Sequence, residues 1–215
     1  MKTLFRFLLY FAAFSLLSSV VGLLLRWFGY STILRENGPV EWLEALWCLL
    51  CSLFLFLASR KSAQYARLFA VLCLLPLVAA TRELDRAFDK ALFQGAWAVP
   101  ACFIVLLACY KAYRCRNTIK LEFVEFMQTQ QAVFFGLGFF ITVIFAQVFG
   151  QQAIMRAVFQ QHYIRSIGGF IEEVFEFLGY IILVAGSLEC YLRAHLAKER
   201  KLSNYNEDNC DSETT

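Results

Sequence analysis

Charged side chains are scarce in this chain. Of its 215 residues only 17% are charged, whereas 60% are hydrophobic and 23 are phenylalanine. A soluble domain of this size cannot bury so large an apolar fraction. The scarcity of charge therefore excludes a water-soluble globular domain and predicts that the lipid bilayer is the main partner of the chain. No nucleic-acid partner is predicted.

Histidine and the common catalytic motifs are also scarce. The chain has 2 histidines, His162 and His195, which fall at opposite ends of the last apolar run and cannot share a metal site. It has no glycine-rich phosphate loop, no Gly-x-Ser-x-Gly, no His-Glu-x-x-His and no internal repeat. These absences disfavour zinc hydrolysis and nucleophilic catalysis. The sequence predicts no metal site, no cofactor and no particular catalytic residue.

Long apolar runs, by contrast, are abundant. A helix needs about 20 apolar residues to cross roughly 30 Å of hydrocarbon. Six runs approach that length: Leu4–Leu25, Val40–Ser59, Arg67–Thr81, Gly95–Tyr113, Gln131–Gly150 and Ile167–Tyr191. The first lacks an Ala-x-Ala cleavage site and exceeds the usual signal-peptide core, so we interpret it as a retained anchor. The sequence predicts an all-α polytopic membrane protein, a bundle of about six transmembrane helices over residues 1–203, with a polar, disordered tail over residues 204–215.

Two prolines and one amphipathic stretch add detail to the predicted bundle. Pro76 and Pro100 lie inside the third and fourth runs, where each is expected to kink its helix and free carbonyl groups that a neighbouring helix or water must satisfy. Between the fourth and fifth runs, TIKLEFVEFMQ places Leu121, Val124 and Met127 on one side of a predicted interfacial helix, with phenylalanines beside them.

The distribution of basic residues predicts the orientation. Seven of the 20 Lys and Arg residues lie on the side opposite to the termini, and the other 13 lie on the terminal side. The positive-inside rule then places both termini in the cytoplasm of a bacterial inner-membrane protein. All 8 cysteines fall within the runs or on the cytoplasmic side, so no disulfide is expected.

Acidic residues gather at the outer ends of the second, third and sixth runs. Arg82, Asp85 and Arg86 follow helical spacing on one face, and Glu41 and Glu44 share another. A carboxylate near the hydrocarbon boundary must be paired, protonated or hydrated. The candidate binding site or ion-pair clasp comprises Glu41, Glu44, Arg82, Glu83, Asp85, Arg86, Glu172, Glu173 and Glu176.

Several functions remain open for this cluster. It can act as a structural clasp between helices, as a site for an anionic or zwitterionic small ligand or a lipid headgroup, or as a proton or cation path through Glu44, Glu173 and Glu176. The sequence favours a non-enzymatic binding, transport-like or assembly component. The alternative is a membrane-embedded enzyme that uses the carboxylates as metal ligands or acid/base groups.

Three stretches carry a resemblance. ENGPVEWLEALW, ATRELDRAFDK and IEEVFEFLGYIIL resemble pieces of uncharacterised bacterial inner-membrane proteins, which begin a span with Glu-[Asp/Asn]-Gly-x-x-Glu-Trp and carry an Arg-Glu-x-Asp edge. The resemblance implies a location in the bacterial inner membrane. It implies no activity.

Overall fold

The computed structural model describes residues 38–160 and 165–212 and scattered positions between residues 8 and 29. The side chains of residues 158–159, 165–167 and 200–212 are not among the described parts. Within these ranges every element is a helix and there is no strand, which confirms the all-α prediction. The helices are α1 (Pro39–Lys61), α2 (Ala66–Leu72), α3 (Leu74–Glu83), α4 (Asp85–Ala91), α5 (Ala98–Arg114), α6 (Arg116–Met127), α7 (Gln130–Phe139), a π-helix (Phe140–Phe145), α8 (Ala146–Gly150), α9 (Gln152–Phe159) and α10 (Arg165–Ser212).

Three helices of the described part of the chain are long and apolar enough to cross a membrane. They are α1, the continuous helix Gln130–Gly150 made by α7, the π-helix and α8, and the Gly168–Glu199 part of α10. They match the second, fifth and sixth of the six predicted spans. The first predicted span, Leu4–Leu25, lies largely outside the described residues. Helix α10 continues through Ser212 and so includes most of the predicted tail.

The third predicted span is interrupted. Helix α2 ends at Leu72 and α3 begins at Leu74, with a turn at Cys73 between them. Pro76 lies in the first turn of α3, so its missing N–H costs α3 no hydrogen bond, but Pro76 cannot continue α2 by donating to the carbonyl of Leu72. The hydroxyl of Ser52 on α1 donates to the carbonyl oxygen of Cys73 at 2.6 Å. A side chain of α1 thus binds the backbone at the break between α2 and α3.

The fourth predicted span is shorter than expected and its predicted kink is wrong. Helix α5 begins at Ala98, so Pro100 occupies the first turn, where a missing N–H costs no helical hydrogen bond. The bend comes later, at Cys115, where α6 leaves α5 at 95°. The α5–α6 pair qualifies as a span only if the bent pair is counted as one.

Helix α6 has the exposure pattern of the predicted interfacial helix. Leu121, Val124 and Met127 are exposed by 70%, 60% and 55%. Phe126 and Glu122 are buried on the opposite side, and Glu122 accepts a hydrogen bond from the backbone N–H of Leu68 at 2.7 Å. Leu121, Val124 and Met127 of α6 therefore face outwards, while its inner face is fixed to the start of α2.

Close packing against α10 aligns the helices that carry the candidate site. A Cβ added at Gly179 would collide with Oγ1 of Thr142 on the π-helix and would lie 2.9 Å from the Thr142 backbone nitrogen. Glycine at this crossing lets the two backbones approach, as is common between membrane helices. On the other side of α10, Tyr180 packs with Cys48 of α1 and Ala80 of α3. The seven cysteines with described side chains are free thiols.

Candidate functional site

Three carboxylates from three helices converge inside the described structure. They belong to Glu44 of α1, Glu83 at the end of α3 and Glu176 of α10, and we call them the carboxylate cluster. One oxygen of each lies within 4.8 Å of the others. The residues are exposed by only 0%, 9% and 3%, respectively. Charged groups this deeply buried are rare unless they bind one another or a ligand.

Helix geometry explains why these three side chains meet. Pro39 begins α1, and Glu44 lies one helical turn before Cys48, on the same face. Cys48 packs against Ala80 and Tyr180, which lie one turn before Glu83 and one turn after Glu176. The contacts of this small core therefore place the three carboxylates together, one turn further along their helices.

Glu83 and Glu176 are each oriented by hydrogen bonds to one of their two carboxylate oxygens. Oε1 of Glu176 accepts from Arg82 Nη2 at 3.1 Å and from Gln147 Nε2 at 2.9 Å. Oε1 of Glu83 accepts from the hydroxyl of Tyr180 at 2.7 Å. Neither Oε2 accepts a hydrogen bond from any described residue. Neighbouring groups thus fix the two carboxylates and leave the second oxygen of each available to a ligand.

Glu44 differs from the other two members. Its side chain is completely buried, and neither of its oxygens has a hydrogen-bond partner in the described part of the protein. The nearby carboxylates of Glu173, Glu83, Glu176 and Glu41 act on it electrostatically, and all carry the same sign of charge. Removing a carboxylate from water without a partner costs several kcal/mol, so Glu44 requires a proton or a cation.

The remaining predicted acidic residues surround the cluster. Glu172 is half-buried and lies 3.4 Å from Nε2 of Gln147, which bridges it to Glu176. A Cβ at Gly150 would collide with the Glu172 carboxylate, so this glycine makes room for it. Glu41 and Glu173 interact with Glu44 only as neighbouring charges.

The predicted charged face over residues 82–89 is divided by a break. Leu84 has φ −97° and ψ 14°, which ends α3 at Glu83 and starts α4 at Asp85. Arg82 pairs with Glu176, with 48% of the Arg82 side chain exposed. Asp85 and Arg86 lie beyond the break on α4, and neither belongs to the carboxylate cluster. The helical spacing used for the prediction assumes one continuous helix, which the structure does not have.

Sequence reasoning missed Gln147. It lies in a strongly apolar run, with Phe145, Ala146, Val148 and Phe149 beside it. A side-chain amide in such a run is costly unless it finds a partner, and this was the available signal. Its partners are the two carboxylates of Glu172 and Glu176.

Comparison of the chain with protein-family models, with curated protein sequences and with solved structures gave no match. The chemistry of the carboxylate cluster is therefore the main guide to function. Counted as ionised, its three carboxylates and Arg82 leave a surplus of about two negative charges. An oxygen-rich site of this charge suits a hard cation.

Proposed function

We propose that the protein is an integral membrane protein that binds a divalent metal ion at the Glu44–Glu83–Glu176 cluster, in a binding or transport-like role without covalent chemistry. The observation that carries this proposal is Glu44, which is completely buried and accepts no hydrogen bond on either oxygen from any residue that the structure describes. Its oxygen lies within 4.8 Å of oxygens of Glu83 and Glu176. A cation between them supplies the missing partner of Glu44 and also binds Glu83 and Glu176.

The donor set favours a hard divalent cation such as Ca²⁺, Mn²⁺ or Mg²⁺, because all three bind carboxylate oxygens. One oxygen from each of the three carboxylates lies within 4.8 Å of the others, so a single ion can bind all three side chains. One divalent ion also balances the surplus of about two negative charges left after Arg82 is counted.

Two other interpretations explain less. A purely structural clasp accounts for the Arg82–Glu176 ion pair but leaves Glu44 buried without a partner. An anionic ligand or lipid headgroup would add negative charge to a cluster that already has too much. A hydrolytic enzyme commonly uses histidine at its metal, but His195 is engaged with Glu199 at 3.4 Å, about 28 Å further along α10 than Glu176.

The proposal also includes the location and orientation of the protein in the membrane. The three apolar helices of the described structure support a multi-pass membrane protein. The distribution of Lys and Arg supports the bacterial inner membrane, with both termini in the cytoplasm and the carboxylate cluster near the outer ends of the helices. In this arrangement an ion from the outer side reaches the cluster without crossing the full length of the helices.

Metal titration of the purified full-length protein tests the proposal. After treatment with a chelator, Ca²⁺, Mn²⁺ or Mg²⁺ is added in detergent, and binding is followed by calorimetry and by the melting temperature. We expect one ion per chain and a stabilisation of about 2.7 kcal/mol at an ion concentration of about 100 times Kd. Glu44→Gln should abolish this response. The matched control Glu199→Gln, at the far end of α10, should retain it.

Two results would contradict the proposal. One is a wild-type protein whose stability and heat signal do not respond to any of the three ions. The other is a response that persists unchanged in Glu44→Gln, because binding would then lie elsewhere on the chain.

A further inference from the structure

A second site lies at the opposite end of the helices from the carboxylate cluster. A cavity of about 610 Å³ opens where α1 ends, between the loop that follows it, the α6–α7 connection and the far part of α10. Cys190, which lines it, is 14 residues beyond Glu176 on α10, or about 21 Å along the helix. The cavity and the carboxylate cluster are therefore separate.

Among the described residues, the cavity is lined by four cations and by no acidic residue. They are Arg60 and Lys61 at the end of α1 and Arg193 and Lys198 on α10. None of the four forms an ion pair with a described residue. Basic residues that face one another without a carboxylate repel, so the arrangement is stable only if an anion or water screens it.

Two of the cations are held in place by neutral groups. Lys61 donates to the hydroxyl of Tyr191 at 3.2 Å and lies 4.8 Å from the centre of its ring. Arg193 donates to the side-chain oxygen of Gln130 at 3.0 Å and also contacts the amide of Gln131. Arg60 and Lys198 are exposed and have no hydrogen bond to a described side chain. The cavity thus combines two positioned cations with two that are available to bind a ligand.

The inner wall of the cavity is apolar. Phe69 and Phe126 meet edge to face at 5.6 Å and form it together with Cys190 and Ala194. Tyr65 packs on both phenylalanines and also lines the cavity. Cations at the mouth and aromatic residues at the base match an amphiphile with an anionic head and an apolar body.

We propose that this cavity binds a phosphate-bearing anion, which the membrane supplies as the headgroup of an anionic phospholipid. Arg60 and Lys198 contact the phosphate, because they are the available donors, and Arg193 and Lys61 complete the positive field around it. The apolar wall receives the glycerol and the first part of an acyl chain. A basic pocket between membrane helices is a recognised setting for such headgroups.

Lipid titration of the full-length protein in nonionic detergent tests this site. Short-chain phosphatidylglycerol, phosphatidylcholine and sodium phosphate are added separately, and bound molecules are counted by native mass spectrometry. Arg60→Gln/Lys198→Gln is compared with the control Lys111→Gln/Lys120→Gln, which removes the same charge from exposed positions outside the cavity. We expect phosphatidylglycerol to bind about thirtyfold more weakly to the first variant and within about threefold of wild type to the control.

The three ligands separate the possible sources of the phosphate. Binding of phosphatidylglycerol but not of phosphatidylcholine or inorganic phosphate, with the expected loss in Arg60→Gln/Lys198→Gln, supports a lipid headgroup. Inorganic phosphate that binds with the same dependence on Arg60 and Lys198 supports a phosphate site supplied from solution. The proposal is overturned if the cavity variant keeps wild-type binding of every ligand, or if the control variant loses as much as the cavity variant.

Discussion

The hydroxyl of Tyr180 lies 2.7 Å from Oε1 of Glu83 and joins α10 to the last residue of α3. Tyr180 is 4% exposed and packs on Cys48 and Ala80, so its position is fixed by the core rather than by solvent. The same tyrosine thus connects the packing of three helices to the orientation of one carboxylate in the cluster. Stability and ion binding should respond together when this contact is removed.

Tyr180→Phe tests that contact directly. Loss of the hydroxyl leaves Oε1 of the buried Glu83 without its donor, which should destabilise the metal-free protein by about 1–3 kcal/mol. Chemical unfolding in detergent, followed by far-UV circular dichroism, measures the change. Tyr110→Phe is the control, because its hydroxyl pairs with Arg114 at an exposed position, and it should change stability by less than about 0.5 kcal/mol. Equal losses of unfolding free energy in the two variants would show that the Tyr180–Glu83 hydrogen bond stabilises the protein no more than an exposed one does.

Arg82→Gln separates a structural clasp from an ion site. Glu176 is 4% exposed but Arg82 is 48% exposed, so loss of this pair should cost the metal-free protein about 1–3 kcal/mol, less than a fully buried pair. Because the cluster then has one more uncompensated negative charge, its affinity for a divalent ion should rise. Calorimetric titration of Arg82→Gln and wild type measures both effects. Weaker ion binding in Arg82→Gln would contradict the charge balance that we assign to the cluster.

A double-mutant cycle measures the Arg82–Glu176 coupling itself. Arg82→Gln combined with Glu176→Gln removes both charges and should recover about 0.5–2 kcal/mol relative to the sum of the single substitutions. Lys90→Gln, at an exposed position of α4, provides the control for a general charge effect. A coupling near zero would mean that solvent screens the pair completely.

Gly179→Ala should weaken the packing between the π-helix and α10. The new methyl group would collide with Thr142 Oγ1 and lie 2.9 Å from the Thr142 backbone nitrogen, so the helices must separate. We expect a loss of about 1–3 kcal/mol in thermal or chemical unfolding. Gly136→Ala is a matched control, because no atom lies within 4 Å of its added Cβ. That substitution should be neutral or stabilising, since alanine favours the helix.

Reporter fusions test how often the chain crosses the membrane. The six-span prediction gives cytoplasmic reporter activity after Arg60, Arg116 and Lys201 and periplasmic activity at Asn37, Lys90 and Gln160. The break at Cys73 makes Lys90 the most informative position, because α2 and α3 must act together to carry it across. Cytoplasmic activity at Lys90 would reduce the number of spans and would move the end of α3 to the other side.

Hydrophobic runs predicted the helices that are continuous. Val40–Ser59, Gln131–Gly150 and Ile167–Tyr191 each coincide with a helix long enough to span, because uninterrupted apolar sequence leaves a membrane helix no alternative way to satisfy its backbone. The interruptions were harder to predict. Pro100 marks a helix start and not a kink, and the sharp bend falls at Cys115, where no proline or glycine signals it.

The candidate site could be predicted in part. Helical spacing identified Glu44, Glu83 and Glu176, since it requires only the local period of each helix. It also placed Asp85 and Arg86 on one helical face with Arg82, whereas the break at Leu84 divides that face, and this break depends on tertiary packing that a single sequence does not reveal. The absence of a partner for Glu44 is a property of three helices together, and no local pattern predicts it.

The π-helix Phe140–Phe145 bears on how the length of this chain can vary. A π-helical turn contains about one more residue than an α-helical turn. The segment therefore accommodates one extra residue, while the α-helical parts before and after it present the same side to α10. We expect that removing one residue from it converts the segment to ordinary α-helix and keeps the present contact of Gln147 with Glu176. Chains that share this site can therefore differ by a single-residue insertion or deletion at this point, in the middle of an apolar helix where such changes otherwise turn every following side chain by about 100°.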